Sequence, residues 1–162
     1  TLISVSGDGT STGGETGGSA VPVSIDNTTV TMTNSAATQG TETTTIDLNA
    51  LGYPDNATVT TITLGDGTSI VFDKSDGTSS PIFSAATQGV RVYKNNTITI
   101  NGKKAIAKVV LTCNSYSGTD YVGSQTATVT FSGNNTIYKN VYSDTGKGLQ
   151  LRVQTITITY AK

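Results

Sequence analysis

The sequence predicts an all-β protein, an antiparallel β-sandwich with jelly-roll-like connections. From Val21 onward apolar residues alternate with polar ones, and turn residues interrupt the alternation about every 8 to 12 positions. Thr, Ser, Gly and Asn are abundant whereas charged residues make up only 13%, which is typical of strands whose solvent face carries hydroxyl groups. A chain of 162 residues is long enough to bury one hydrophobic core.

The N-terminal part has a different composition. Residues 6–19, SGDGTSTGGETGGS, contain no apolar side chain, so they have nothing to bury and are predicted to remain flexible. We therefore expect a Gly/Ser/Thr linker over residues 1–20 and a β-sandwich domain over residues 21–162. Leu2, Ile3 and Val5 precede the linker and indicate the end of another folded unit. The chain is thus expected to be one module of a larger protein.

The predicted elements follow one another along the domain. A short helix is expected at residues 48–51, with Asp47 as its N-cap and Gly52 as its terminator. Residues 65–67 (Gly-Asp-Gly) and 101–102 (Asn-Gly) predict hairpin turns, because these residue types accept a positive φ. The predicted strands comprise residues 28–33, 58–64, 69–73, 90–93, 97–100, 105–112, 127–131 and 149–160.

In the last predicted strand, the apolar residues occupy odd-numbered positions at first and even-numbered positions afterwards. A β-bulge near Gln154 and Thr155 would keep all of these apolar residues on one face of the sheet. Gln150 and Arg152 are then expected to face outward. The apolar residues concerned are Leu149, Leu151 and Val153, followed by Ile156, Ile158 and Tyr160.

Charge is divided unevenly between the two parts of the chain. Residues 1–73 carry eight acidic side chains and no basic one, whereas residues 74–162 carry ten basic and three acidic side chains. The field of a basic surface attracts ligands of opposite sign. The chain has no His, which removes the usual Ser-His-Asp and Cys-His catalytic groups and imidazole metal sites. Cys113 is expected to be a buried, inert thiol, and the protein is not expected to be an enzyme.

The sequence gives little support to carboxylate catalysis, nucleic-acid binding or a membrane span. Asp73 and Asp76 have the spacing of a turn rather than of a catalytic pair, although loop carboxylates leave a structural calcium ion open as an alternative. No other cofactor is expected. The absence of Trp, the lack of a compact basic run and a pI near 5.1 argue against nucleic acid. No apolar run is long enough to span a bilayer.

An acidic polysaccharide fits the composition better. Its carboxylates can be held by Lys and Arg through charge-assisted hydrogen bonds, with Tyr rings as stacking platforms. Lys103 and Lys104 follow the predicted strand at residues 97–100, whereas Lys94 precedes it. They are therefore expected roughly 13 Å from Lys94, at the opposite end of that strand. The alternative for each basic residue is an ordinary solvated side chain that protects a strand edge. The residues predicted to bind the ligand are Arg91, Tyr93, Lys94, Lys139, Tyr142, Lys147 and Arg152, with Lys139, Tyr142 and Lys147 placed on the connection before the last strand.

Four segments carry a resemblance to a known kind of module. Residues 46–53, 70–74, 90–100 and 156–160 resemble accessory β-modules of secreted multidomain proteins from gut and rumen anaerobes. They are also similar to pectin-directed carbohydrate-binding modules joined to pectate-lyase-type enzymes. The resemblance implies a non-catalytic β-sandwich that tethers an enzyme to the plant cell wall.

The expected function is recognition of homogalacturonan or low-ester pectin by a monomeric module, with a linked catalytic domain in the same polypeptide. The expected location is outside the cell, either free, at the cell surface or attached to a cellulosome. No nucleic acid or membrane partner is expected. The alternative is a structural or adhesive β-domain of a secreted cell-surface protein, with no glycan ligand and with charges that serve solubility.

Overall fold

The computed structural model describes residues 23–162, which form two antiparallel sheets and one small hairpin. The predicted linker and the residues that precede it lie outside the described residues. No helix among residues 23–162 has the length and apolarity that crossing a bilayer requires. The strands are β1 (Val23–Asp26), β2 (Thr29–Thr33), β3 (Gln39–Asp47), β4 (Thr61–Thr63), β5 (Ser69–Asp73), β6 (Ile82–Ser84), β7 (Gly89–Val92), β8 (Thr97–Asn101), β9 (Ile106–Cys113), β10 (Ser115–Tyr116), β11 (Thr119–Asp120), β12 (Thr128–Ser132), β13 (Asn135–Lys139) and β14 (Leu151–Ala161).

The larger sheet is organised around β14, its longest strand. The strand order is β1-β2-β9-β14-β7-β6, and β3 pairs with β14 as a seventh strand. On one side β14 pairs with β9 over most of its length. On its other side the N-terminal part of β14 pairs with β7, and its C-terminal part pairs with β3. The N-terminal part of β14 therefore lies beside β7, the strand that carries Arg91.

The second sheet has five strands in the order β12-β13-β8-β5-β4. The inner faces of the two sheets bury one continuous cluster of apolar side chains, which confirms the predicted all-β sandwich. Both sheets contribute because apolar residues alternate along each strand. The largest fully buried side chains are Tyr138, Tyr160, Phe72, Met32, Leu48, Ile70, Ile98, Ile100, Ile106, Leu111, Leu151 and Ile156.

The predicted bulge in β14 is confirmed. Val153 pairs with Cys113, but the next pair joins Thr155 to Thr112, so Gln154 has no counterpart in β9. The extra residue allows Val153 and Ile156 to point into the same core, where both are fully buried. The predicted burial of Cys113 is also confirmed, since it is 3% exposed.

Local signals also placed the short helix correctly. Residues Leu48–Leu51 form a 3-10 helix in which Asp47 accepts a hydrogen bond from the amide of Asn49 at 3.0 Å. Gly52 ends the helix with φ of 79°, a left-handed conformation that costs least in glycine. A single strong cap and a single glycine were sufficient to define this element.

The two predicted hairpin turns had different outcomes. Residues 65–67 connect β4 to β5, which pair as antiparallel neighbours, so this hairpin is confirmed. The hairpin predicted at residues 101–102 is wrong, because β8 and β9 belong to different sheets. Gly102 is needed there for close backbone approach, since a Cβ atom would lie 2.5 Å from the Lys104 carbonyl oxygen. The chain crosses from one sheet to the other at this point.

Candidate binding surface

Two arginines lie side by side on the outer face of the larger sheet. Arg91 of β7 pairs directly with Arg152 of β14. Their strand neighbours point into the core, as Val92 and Val153 show by being fully buried, so both arginines project from the opposite face. The predicted outward orientation of Arg91 and Arg152 is therefore confirmed, and the pairing of β7 with β14 places them together.

Tyrosine rings surround Arg152. Its Cζ atom lies 3.6 Å from the centroid of the Tyr121 ring and 5.5 Å from that of Tyr116. Arg152 is only 7% exposed, so this outward residue is more enclosed than its position on the strand suggested. Burial lowers the pKa of Arg152, the charge of Arg91 lowers it further, and Tyr121, Tyr93 and Tyr116 act in the opposite direction. We call Arg91, Tyr93, Tyr116, Tyr121 and Arg152 the arginine-tyrosine cluster.

The positive charges of this cluster are not balanced within residues 23–162. Every ion pair in this part of the chain involves a lysine rather than Arg91 or Arg152. The Nε atom of each arginine is buried without a hydrogen-bond partner among these residues. Arg91 donates one hydrogen bond from a terminal nitrogen to Ser84 Oγ at 3.3 Å. Two adjacent guanidinium groups without a carboxylate partner among these residues favour an anionic ligand.

The backbone holds the tyrosines in place against Arg152. The amide of Asn114 donates to the carbonyl oxygen of Arg152 at 2.9 Å. The amide of Arg152 donates in turn to the carbonyl oxygen of Tyr121 at 3.0 Å. Between Asn114 and Tyr121 the chain forms the β10–β11 hairpin. Its central residues Ser117 and Gly118 have φ of 53° and 73°, as expected in a tight two-residue turn. The hairpin is therefore anchored at its base to the residue that it covers.

Lys94 and Tyr142 form a second pair of a cation and an aromatic ring. The Nζ atom of Lys94 lies 5.4 Å from the centroid of the Tyr142 ring, and burial raises the pKa of Tyr142. The side chain of Asn140 donates to the carbonyl oxygens of Tyr93 and Leu149, at 3.4 Å and 3.0 Å. Asn140 thereby ties the turn that follows β7 to the loop that precedes β14.

The other predicted binding residues lie in different surroundings. Lys139 is the last residue of β13 rather than part of the connection, because residues 135–139 pair with both β12 and β8. Its Nζ atom lies 2.6 Å from Asp76 Oδ2, and this contact lowers the pKa of Asp76. Lys147 is exposed and forms no ion pair with the part of the chain that the structure describes. Of the lysines predicted to bind a ligand, Lys139 is therefore already neutralised by a carboxylate.

Tyr116 and Tyr121 belong to the cluster but were not predicted. Residues 117–118 (Ser-Gly) form the turn between them, and a tyrosine on each side of a short turn is the signal that could have indicated their role. Neither residue lies in a segment with clear alternation, so the sequence pattern did not separate Tyr116, which is 51% exposed, from Tyr121, which is 4% exposed. Contact with Arg152 depends on the hairpin folding back onto β14.

Asp73 ends β5 at a turn and Cys113 lies in the core. No group of three His, Cys, Asp or Glu side chains within residues 23–162 is placed to hold a metal ion, so the calcium alternative gains no cluster of ligands. Asp73 accepts a hydrogen bond from the amide of Ser75 at 3.0 Å, which confirms its predicted role in closing a turn. Burial raises the pKa of Cys113 to about 12, so its thiol is neutral at ordinary pH.

Lys103 and Lys104 lie far from the cluster. Both contact Glu42 of β3, and the next residue, Thr43, pairs with Thr159 of β14. Because Thr159 follows Arg152 by seven positions, the separation along β14 is roughly 23 Å. These two lysines therefore form a separate, internally paired group and provide a matched control for the arginines.

The fold and the surface together define an antiparallel β-sandwich with an arginine pair that is framed by tyrosines and has no carboxylate partner among residues 23–162. No protein-family model, curated protein or solved structure matches the chain. The geometry of this surface therefore carries the functional inference.

Proposed function

We propose that this protein is a non-catalytic carbohydrate-binding module that holds an acidic polysaccharide on the arginine-tyrosine cluster. One observation carries the proposal. Arg91 and Arg152 are directly paired across two strands, and neither has a carboxylate partner among residues 23–162. Placing like charges opposite each other destabilises a sheet, so an anionic ligand is the partner that this arrangement suits.

The chemistry of the cluster favours a uronic acid polymer over a small anion. A guanidinium group offers planar paired donors that match a carboxylate. Tyrosine rings offer flat apolar faces that suit the C–H faces of a sugar ring, in addition to a hydroxyl group. Every unit of homogalacturonan carries a pyranose ring and a carboxyl group, and in low-ester pectin most of these carboxyl groups are free carboxylates. In the arginine-tyrosine cluster, the guanidinium groups complement the carboxylate and the tyrosine rings complement the pyranose ring.

Partial burial strengthens the interaction with a carboxylate. Arg152 is enclosed by Tyr121 and is only 7% exposed, so water screens its charge less than that of a free surface lysine. The same enclosure fixes the guanidinium before a ligand arrives and reduces the entropy lost on binding. A site of this kind binds through few charges and does not need a large basic patch.

The biological role in this proposal is tethering. If the module is linked to a catalytic domain in a secreted protein, binding converts the next encounter between enzyme and polymer into an intramolecular one. A module with this role performs no chemistry itself. The linked enzyme and the secretion are parts of the proposal that a study of the parent protein would test.

Titration with polygalacturonate at low and high salt tests the proposed function. We expect binding at low salt, weaker binding at high salt because the ionic contacts are screened, and weak binding of methyl-esterified pectin because its carboxylates are neutralised. Arg91→Gln should lower affinity by about tenfold to a hundredfold, the range for loss of a charged hydrogen bond.

Lys104→Gln is the matched control, because it removes one positive charge at the remote group that contacts Glu42. It should leave affinity within about twofold of the wild type, as expected for an exposed ion pair far from the ligand. Absence of binding at low salt, or equal affinity for esterified and free polymer, would overturn the ionic mechanism. Equal losses in the two variants would show that only net charge matters.

A further inference from the structure

We infer that the arginine pair and Tyr116 bind two adjacent units of one acidic chain, so that the smallest well-bound ligand is an oligosaccharide. This inference rests on the proposed function and specifies how the ligand is read. One sugar ring stacks on Tyr116, and the carboxylate of a neighbouring unit binds to Arg91 and Arg152. Tyr116 is then a specificity-determining residue that distinguishes a sugar chain from an arbitrary anion.

The exposure of Tyr116 is the first observation. Three large hydrophobic side chains are prominently exposed within residues 23–162, and Tyr116, at 51%, is the only aromatic one. Leu51 and Ile137 lie elsewhere, on the 3-10 helix and on β13. Tyr116 alone therefore combines an exposed flat ring with a position next to the uncompensated charges.

The second observation is that the backbone carrying this ring is anchored to the strand that carries Arg152. The strand pairs Ser115 with Asp120 and Tyr116 with Thr119 across a two-residue turn. The base of the hairpin bonds to both the amide and the carbonyl group of Arg152. The backbone positions of Tyr116 and Arg152 are therefore fixed relative to each other, which favours recognition by a preorganised surface.

The third observation is the distance between the two groups. The Cζ atom of Arg152 lies 5.5 Å from the centroid of the Tyr116 ring. A sugar stacked on the outer side of that ring, at contact distances of roughly 3.5 to 4 Å, would stand roughly 9 Å from the guanidinium. A carboxylate on the stacked sugar lies beside the sugar ring at nearly the same height and therefore stays far from the guanidinium group. The contact with the arginines is accordingly assigned to the carboxylate of the adjoining unit.

Arg91 provides the second guanidinium group that this division of roles requires. It is the cross-strand partner of Arg152 and donates from one terminal nitrogen to Ser84 Oγ at 3.3 Å, so both arginines are assigned to the same carboxylate. Tyr121, whose ring centroid lies 3.6 Å from Arg152 Cζ and which is 4% exposed, is covered and serves only to position Arg152. The stacking role therefore belongs to Tyr116 and not to Tyr121.

A chain-length series tests the inference by calorimetric titration. The ligands are galacturonic acid and its linear oligomers of increasing length, and the proteins are the wild type, Tyr116→Ala, Tyr116→Phe and Ile137→Ala. The wild type should bind the monomer weakly and gain affinity when a second unit is added. Tyr116→Ala should lose that gain, a loss of about threefold to tenfold from one aromatic contact, while its affinity for the monomer stays unchanged.

Two controls guard against a purely structural effect of the substitution. Tyr116→Phe keeps the ring and should retain the gain with chain length, whereas Ile137→Ala removes an exposed apolar side chain on the other sheet and should change nothing. The inference is overturned if Tyr116→Ala shows the same length dependence as the wild type, or loses affinity for monomer and oligomer equally. If the wild type binds no galacturonate of any length, the proposed function fails and this inference fails with it.

Discussion

Replacement of Arg91 by glutamine should stabilise the folded protein while weakening its binding of an acidic ligand. Arg91 and Arg152 are cross-strand partners, and no carboxylate among residues 23–162 pairs with either of them. In the free protein their mutual repulsion is therefore an unfavourable contribution to folding. Function and stability should change in opposite directions at this position, as is common for binding sites.

The size of the effect is bounded by the general cost of bringing like charges together. Two positive charges about 4 Å apart repel by about 1 kcal/mol in water and about 4 kcal/mol at an effective dielectric constant of about 20, and the repulsion falls as the separation grows. Like charges directly opposite each other in a sheet usually cost about 0.2 to 1 kcal/mol. Glutamine loses part of the contact between Arg91 and Ser84, although its amide can still donate to the hydroxyl group. We expect a net gain of about 0.5 to 1 kcal/mol in the free energy of unfolding.

Urea denaturation without ligand measures this quantity, and urea is preferred because it adds no ions. The wild type, Arg91→Gln and Lys104→Gln are compared at low and high sodium chloride concentration. Arg91 is half-buried and remains accessible to ions, although Arg152 is buried, so the wild type should gain more stability from added salt than Arg91→Gln does. Lys104 contacts Glu42, hence Lys104→Gln should not gain stability.

A wild type that is more stable than Arg91→Gln at low salt would refute this reasoning. Equal salt dependence in the two proteins would refute it as well, because it would mean that the arginine charges are compensated in the free protein. Either result would also remove the observation on which the proposed function rests.

Three further predictions concern stability and reactivity. Tyr160→Phe removes a hydroxyl group that donates to Asp66 at 2.6 Å and should lower the free energy of unfolding at neutral pH by roughly 1.5 to 3 kcal/mol in urea denaturation. The same hydrogen bond lowers the pKa of Asp66 from its ordinary value of 3.8, so its part of the stabilisation is present above about pH 4 and is lost as the pH falls through the lowered pKa. The contact of the Tyr160 hydroxyl with Thr68 Oγ1 does not titrate, so an undiminished difference between the two proteins at lower pH is the result that would contradict this. Cys113 has a pKa of about 12 and is 3% exposed, so a thiol reagent at pH 8 should label it no faster than the protein unfolds, in contrast to immediate labelling in concentrated urea. Asn140→Ala leaves the carbonyl oxygen of Val92 without its donor and should cost about 2 to 3 kcal/mol, whereas an unchanged urea midpoint would show that the hydrogen bond is replaced.

Features set by a few neighbouring residues could be predicted well. The 3-10 helix follows from a capping aspartate and a terminating glycine, and the bulge at Gln154 follows from a change in the parity of apolar residues within one strand. In both cases the physical cause, a satisfied amide or a buried side chain, acts over only a few positions. The outward orientation of Arg91 was predictable for the same reason, because Val90 and Val92 had to face the core.

Features that depend on contacts between distant segments could not be predicted. Lys139 was expected to be available for a ligand, yet it contacts Asp76, a residue that reaches it only because β13 and β5 both pair with β8. Residues 101–102 have the composition of a hairpin turn, but the strands on either side enter different sheets. Turn chemistry permits a change of direction and does not specify the new partner strand.

The sequence by itself determined that this is an all-β protein, which residues of the strands it predicted face the core, and that its basic residues lie after Asp73. The tertiary structure alone decided which of those basic residues form a site. Arg91 and Arg152 become neighbours because β7 and β14 pair in one particular register, and Tyr116 joins them because its hairpin bonds to the backbone of Arg152. Alternation along a strand determines the face on which a side chain lies, whereas the pairing and register of strands determine which side chains meet, and these depend on the packing of the whole core.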